Sequence, residues 1–512
     1  VARLKQAPLH PFLISAYAIL ALLAYNQPEI RLTAGIRALL VGLAGTGLLL
    51  LFLRFLFEDW KRAALLCSFL LLLFFTYGHI YNLSKDIELF GFALGRHRFL
   101  APLWAVLLAV GFFLIIRRRE DAQDLTGTLN LFTLVILLFP ILQILIFQTG
   151  ELWGRSESVE LPPEAQDLQL PADGAPDVYY IILDAYTRDD SMEAIYHLDN
   201  TPFLSSLEEM GFYVARCSQS NYAQTRLSLA SSLNMNYLDA FYPEADPDSR
   251  DFTVVNHYLR DNQVREIFQS LGYQVVAFET GFSWTEWRDA DIFLKPQEGN
   301  SILMALLGGL NDFEALLLKT TATRILIDLR EILPEQFRPN VDENPREIHR
   351  QRVLFDLQQL ETLPAIEGPK FVFAHIVSPH RPFVFGPNGE FIDEPDDYPQ
   401  AYHAQVSYLN QRLEELIPKI LEASERPPII ILQGDHGGVG NKTRRVHILN
   451  AYLLPDDGEL LYESISPVNT FRVIFNTYFG GNYELLDDIS YFSTVDDPYE
   501  LEVIPLTRPG CE

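Results

Sequence analysis

Cysteine is scarce, with Cys67, Cys217 and Cys511 the only three in 512 residues. So few thiols exclude a disulfide-dense scaffold and a thiolate metal cluster. Cys67 falls in an apolar run, whereas Cys217 and Cys511 lie in the polar C-terminal part, where they either pair or stay free. Basic residues are also short, 39 Lys and Arg against 67 Asp and Glu, for a net charge of −28. The shortage is uneven: residues 1–150 hold 13 basic and 8 acidic side chains, the remainder 26 and 59. A surface that acidic repels a phosphate backbone, so nucleic acid is excluded as a partner of the C-terminal part. No internal repeat or low-complexity tract appears, which excludes a solenoid or a compositionally disordered chain.

Long apolar runs are abundant at the start. Five stretches, about 11–26, 38–57, 63–82, 99–116 and 130–148, lack interior carboxylates. Each approaches the ~20 residues a helix needs to cross ~30 Å of hydrocarbon. They predict a five-helix transmembrane domain over 1–150. Arg3, Lys5, Arg54, Lys61, Arg62 and Arg117-Arg118-Arg119 fall on one side, and Arg31, Arg37, Lys85, Arg96 and Arg98 on the other. That bias puts the N-terminus in the cytoplasm and, after an odd number of spans, the rest of the chain outside. Four further spans and the lack of a small-residue cleavage site argue against a cleaved signal peptide. The expectation is a multi-pass protein of the cytoplasmic (inner) membrane.

Residues 151–175 mix Gly, Glu, Pro, Ser and Asp without apolar periodicity and read as a linker. From 176 to 512 strands and helices alternate. Strands are expected at about 178–183, 273–278, 371–377, 429–433 and 448–454. Helices are expected at 200–211, 226–235, 252–271, 303–331, 345–362 and 403–423. Such alternation predicts an α/β domain with a mostly parallel central sheet covered on both faces. The stretch near 295–365 is long for a crossover and reads as a helical insertion.

Asp435-His436-Gly437-Gly438 follows the run Ile429-Ile430-Ile431-Leu432, which places a carboxylate and an imidazole at the carboxyl end of a buried strand. Open α/β sheets bind ligands at that edge. Val178 to Leu183 is a second such run and ends on Asp184. Phe371 to Val377 is a third and leads to His380, ahead of Arg381-Pro382-Phe383. Asn221 to Leu233 offers Thr225 just before an apolar helical stretch. Oxygen from Asp184, Asp435 and Thr225 with the His436 imidazole makes a donor set for one divalent ion, Zn or Mn. No separate set of one Asp and two His marks a second full site.

Each residue also has a plainer role open to it. Asp184 can cap a helix, Thr225 can serve as an N-cap, and His380 can be a loop histidine. Ser228 and Ser220 are weaker substitutes for Thr225. His375, inside the apolar strand pattern, reads as a core histidine. Lys442, Arg445 and His447 follow the Asp-His-Gly-Gly loop closely enough to meet an anion, or are solvated loop charges. Trp284 and Trp287 read as packing, with lipid headgroups or sugars as the alternative.

The order of these motifs over residues 176–480, with the membrane helices before them, resembles the alkaline phosphatase superfamily. The likeness is to its membrane-anchored sulfatase-domain branch of lipoteichoic acid synthases and phosphoethanolamine transferases. It implies an alkaline-phosphatase-like fold, with Asp184, Thr225, Asp435 and His436 on one metal, Thr225 as nucleophile and His380 meeting the phosphoryl group. Asp184 stands where those transferases usually carry Glu. The implied activity moves a substituted phosphoryl group, phosphoethanolamine- or phosphoglycerol-like, through a covalent threonine intermediate. A membrane lipid would be the donor and a surface glycan, lipid or polymer the acceptor. The alternatives are phosphodiester or sulfate-ester hydrolysis on the same fold, and a non-catalytic membrane-anchored binding protein. Sulfatases need Cys or Ser in a Cys/Ser-x-Pro-x-Arg motif, and Thr225-Arg226-Leu227-Ser228-Leu229 supplies none of it.

Overall fold

The computed structural model describes residues 7–27, 30, 32–85, 88–89, 92–93, 96–117, 122–154, 161–171, 174–296, 311–328, 345–392, 397–455, 458–506, 508 and 511. Arg3, Lys5, Arg31, Arg118 and Arg119 of the charge pattern, and 303–310 and 329–331 of one expected helix, lie outside these. So do residues 155–160, 172 and 173 of the expected linker.

The chain divides into two compact units, one of residues 1–149 and 298–344, the other of 150–297 and 345–512. The first contains α1 (His10–Tyr25), α2 (Ala34–Phe57), α3 (Trp60–Ser84), α4 (His97–Arg117) and, up to residue 149, α5 (Ala122–Gly154). Asp59 starts α3 by accepting a hydrogen bond from the Lys61 amide at 2.9 Å. Among the described residues, four stretches, Ala34–Phe57, Trp60–Ser84, His97–Arg117 and Leu125–Thr149, are long and apolar enough to cross a membrane. α1 is apolar but has only 16 residues. At 1.5 Å per residue it rises ~24 Å, short of the hydrocarbon thickness. The outward side chains stay apolar, Phe55, Phe139 and Ile146 among them.

Part of the long insertion belongs to this helical unit. Asn311 and Glu314 form a reciprocal cap on the helix Asp312–Thr320. Glu314 also pairs with Arg37 of α2, Nε to Oε1 at 2.6 Å. Phe313 is fully buried among Ile19, Leu22, Leu23 and Ala38. Downstream, Asp328 lies 2.8 Å from His97 Nε2, and Arg324 bonds Asn82 at 2.7 Å.

The second unit is built on a seven-stranded sheet. Its strands are β1 (Val178–Leu183), β2 (Tyr213–Val214), β3 (Gln274–Phe278), β4 (Ile292–Leu294), β5 (Lys370–Ile376), β6 (Ile429–Gly434) and β7 (Asn450–Leu453), in the spatial order β2-β7-β6-β1-β5-β3-β4. β6, β1, β5, β3 and β4 are mutually parallel, and β7 pairs antiparallel with β6 and β2. Burial on both faces explains why the central strands read as continuous apolar runs. The helices are α6 (Thr201–Glu209), α7 (Thr225–Leu233), α8 (Thr253–Arg260), α9 (Gln263–Ser270), α10 (Pro345–Leu360), α11 (Tyr398–Ala423) and α12 (Pro467–Tyr478). Tyr179, Ile181 and Leu183 of β1 pack on the side of α6, α10 and α11. Val178, Tyr180 and Ile182 pack on the side of α7, α8, α9 and α12.

The expected helix over 252–271 is two helices. Asn262 breaks it, because its side chain accepts from the Arg265 amide at 2.9 Å and starts α9. α12 is an addition to the expected set, since its Val, Ile, Phe and Tyr content hides a helical face. Cys217 and Cys511 are paired, with 5.7 Å between their Cα atoms, and Cys67 is a buried free thiol.

Candidate active site

Strand register brings the acidic residues together. Leu183 of β1 lies opposite Gly434 of β6, so the next residues, Asp184 and Asp435, leave adjacent strands side by side. His375 of β5 lies opposite Ile182, two residues before Asp184, and therefore projects on the same face of the sheet. That face is the one covered by α7, whose first residue is Thr225. Ligand atoms of Asp184, His375 and Asp435 all lie within 4.8 Å of one another.

Hydrogen bonding leaves these side chains conspicuously incomplete. Asp435 Oδ1 accepts from the amides of Ala185 at 2.8 Å and His436 at 2.9 Å. Ala185 adopts left-handed backbone, φ 63°, at a cost of about 1 kcal/mol, and so turns its N–H to that carboxylate. Among the described residues, Asp435 Oδ2 and Asp184 Oδ1 are buried with no hydrogen-bond partner, and neither ring nitrogen of His375 has one. Asp184 Oδ2 lies 3.4 Å from His375 Nε2, and His436 Nε2 lies 3.8 Å from Asp184 and 3.5 Å from Asp435. Thr225 Oγ1 is 3.1 Å from His436 Nε2.

Charge states follow from these surroundings. Burial pushes the Asp184 carboxyl up, but His380, His375 and His436 outweigh it and hold the group well below the usual carboxylate range. Burial, reinforced by Arg445, lowers His436, so its ring is neutral. His436 Nδ1 lies 2.9 Å from the Gly437 carbonyl. The proton therefore sits on Nδ1, and the Nε2 lone pair faces Thr225. Two carboxylates with orphaned oxygens, a neutral imidazole and an unsolvated His375 are a donor set that fits a divalent metal.

The other expected residues take varied places. Gln224 is the N-cap residue of α7, and its amide instead reaches Ser493 Oγ at 2.7 Å; the Thr225 hydroxyl caps nothing. Ser228 donates to the Asp435 carbonyl at 2.6 Å and Ser220 to the Tyr222 carbonyl at 2.9 Å, which commits both hydroxyls to backbone. His380 follows β5, its ring centroid 6.5 Å from that of His436. The His380 amide donates to the Asp184 carbonyl at 2.9 Å, and its Nδ1 is 2.7 Å from the Arg381 carbonyl. His447 lies apart, against Ser191 Oγ at 2.8 Å and Arg188 at 3.2 Å. Lys442 pairs with exposed Glu502. Trp287 is fully buried and stacks on Phe373 at 4.3 Å, while Trp284 covers Arg226 at 4.6 Å, so both indoles pack.

Sequence reasoning assigned His375 to the core, and the structure places it beside Asp184 and Asp435. Its two-residue offset from Asp184 emerges only from the β1–β5 register. The available sequence signal was a lone imidazole in an otherwise apolar strand.

Fold and site together define a membrane-anchored α/β protein with a metal-type centre at the carboxyl edge of its sheet. The family model described as Sulfatase matches residues 176–465, and the chain belongs to the sulfatase family. Among solved structures it is similar to the C-terminal periplasmic domain of EcEptC from Escherichia coli in complex with Zn (12% identity, 67% of this chain and 96% of that one, TM-score 0.40). It is also similar to the lipooligosaccharide phosphoethanolamine transferase A of Neisseria meningitidis (13%, 93% and 95%, 0.37). A third is the lipoteichoic acid synthase LtaP of Listeria monocytogenes (13%, 64% and 81%, 0.38). No curated protein matches the chain.

Proposed function

We propose that this chain is a metal-dependent enzyme that transfers a substituted phosphoryl group from a membrane lipid to a surface glycan, lipid or polymer. The observation that carries the reading is the uncapped Thr225 hydroxyl at the start of α7, 3.1 Å from His436 Nε2 and beside orphaned Asp184 and Asp435 oxygens. The first turn of a helix directs free amides at an anion, which favours phosphoryl chemistry there.

Asp184, Asp435 and His436 are the proposed metal ligands together with Thr225, and the structure adds His375 as a candidate. When bound, zinc or manganese would lower the pKa of the threonine hydroxyl and neutralise charge on the phosphoryl oxygens. The Thr225 hydroxyl gives its proton to solvent, its Oγ forms the new bond to phosphorus as the bond to the lipid alcohol breaks, and the departing oxygen takes a proton from His380. The acceptor hydroxyl then attacks phosphorus and gives its proton to His380 as the bond to Thr225 Oγ breaks, and the Thr225 alkoxide takes its proton back from solvent. With water in place of the acceptor the same residues perform phosphodiester hydrolysis. Sulfate-ester hydrolysis stands lower, because Thr225 cannot form the aldehyde that sulfatases require.

The paired Cys217 and Cys511 favour an oxidising, extracytoplasmic compartment for the catalytic domain. The insertion favours the same side. Its partners Ala34, Arg37, Asn82 and His97 all sit at the helix ends that the charge pattern puts outside. Mass spectrometry of the purified chain after incubation with membrane lipids tests the reading. An adduct on Thr225, with the mass of a substituted phosphate, is expected and identifies the transferred group. An unmodified Thr225 during steady turnover would eliminate the covalent route.

A further inference from the structure

We infer that Arg445 is the residue that binds the non-bridging oxygens of the transferred phosphoryl group. The inference rests on the phosphoryl-transfer reading and names the contact that recognises its substrate.

The guanidinium is held in place from behind. Its Nε donates to the Ala223 carbonyl at 3.2 Å, two residues before Thr225, and its Nη1 donates to the Gly437 carbonyl at 2.8 Å, with Gly438 at 3.5 Å. Arg445 therefore bridges the loop that carries the nucleophile and the loop that carries His436. Its remaining nitrogen, Nη2, lies 3.2 Å from His436 Nε2, the same atom that faces Thr225 Oγ1. Hydroxyl and guanidinium thus converge on one imidazole nitrogen. Nη2 has two hydrogens, and His436 Nε2 accepts at most one.

Charge supports the same conclusion. Arg188, Arg216, Arg265 and Arg288 of this unit each pair with a carboxylate. Among the described residues, Arg445 has none within ion-pair distance, although residues 151–512 carry 59 acidic side chains against 26 basic ones. A half-buried arginine kept from that excess of carboxylates, with its planar fork pinned at one edge, is prepared to receive an anion. The fork matches two oxygens of one phosphate, which a lysine ammonium does not.

The test is titration of the full chain in detergent with inorganic phosphate, comparing wild type, Arg445→Lys and Arg445→Met, with metal content measured on each. Arg445→Met should weaken phosphate binding by roughly ten- to a hundredfold. Arg445→Lys should fall between, and metal content should stay unchanged in both. Unchanged phosphate affinity in Arg445→Met would overturn the inference, as would metal loss that parallels the loss of phosphate. Should Arg445→Met fail to fold, Arg445→Lys decides, since it keeps the charge and loses the fork; affinity equal to wild type then overturns it. Arg445-dependent phosphate binding in a protein that turns over no phosphodiester would sustain this inference and remove the transfer reading. Turnover with KM unaffected by Arg445→Lys and Arg445→Met would do the reverse.

Discussion

At the residue scale, Thr225 separates catalysis from stability. Because Gln224 occupies the cap position, Thr225→Ala removes a hydroxyl that supports no helix amide, and unfolding should shift by less than about 1 kcal/mol. Turnover of a phosphodiester should fall roughly a thousandfold or more, and Thr225→Ser should retain part of it. Near-normal activity in Thr225→Ala would transfer the nucleophile's role to water. For the proposed ligands the readout is bound metal. Asp435→Asn should lower metal affinity beyond the ~10–100-fold typical of an outer-shell partner. His375→Leu distinguishes a ligand from a core histidine, since only a ligand's loss removes metal while the apolar strand tolerates leucine. His447 supplies the pH dependence. Burial, aided by Arg188, lowers it to about 4, against the opposing Asp190. The unfolded chain takes up a proton near pH 6.5 and the folded chain near 4. The stabilisation is therefore complete above 6.5 and is lost as pH falls through that window, by about 3 kcal/mol at most. His447→Gln should flatten thermal stability between pH 6.5 and 4; an unchanged slope would refute this assignment.

At the element scale, the site depends on how closely the loop after β6 can return on itself. A Cβ on Gly437 would meet the Arg444 carbonyl at 2.2 Å and the His447 carbonyl at 2.8 Å. Both are backbone atoms and cannot swing aside. Gly437→Ala should therefore force the loop open, cost about 1–3 kcal/mol, and displace His436 next to it. Metal content and melting temperature together check this, and a variant with wild-type metal content would show that the loop relaxes elsewhere. The strands behave differently from the loop. β1, β5 and β6 are buried on both faces, and their apolar runs made them legible before the structure was known. The edge strands β2 and β4 have two and three residues, too short to show a pattern.

On the scale of the whole molecule, the chain passes between its two units after residues 149, 297 and 344. The insertion, expected as part of the catalytic domain, packs Phe313 and the Arg37–Glu314 pair into the helical unit. Topology is tested by reporter fusions. A reporter after residue 150 should be active only outside the cytoplasm, and one near Arg118 only inside. The reverse pattern would show that the positive-charge bias misassigns the orientation. Four helices reach spanning length, so whether α1 crosses the bilayer decides between an odd and an even number of spans, and the same fusions answer that as well.

Local patterns in the sequence were enough for the apolar helices, the five longer strands and the Asp-His pair at a strand end, because each is encoded within one continuous stretch. The proximity of Thr225 to His436, separated by 211 positions, was an expectation from motif placement that the family resemblance reinforced, and the structure supplies its distance. Register decided that His375 shares a face with Asp184, since a one-residue slip would turn it to the other side. Tertiary packing alone gave the capping position to Gln224, pinned Arg445 between two loops, and paired Cys217 with Cys511 across 294 residues. Backbone periodicity is a property of neighbours along the chain, whereas the meeting of distant side chains depends on how the strands are ordered and on which face each helix covers.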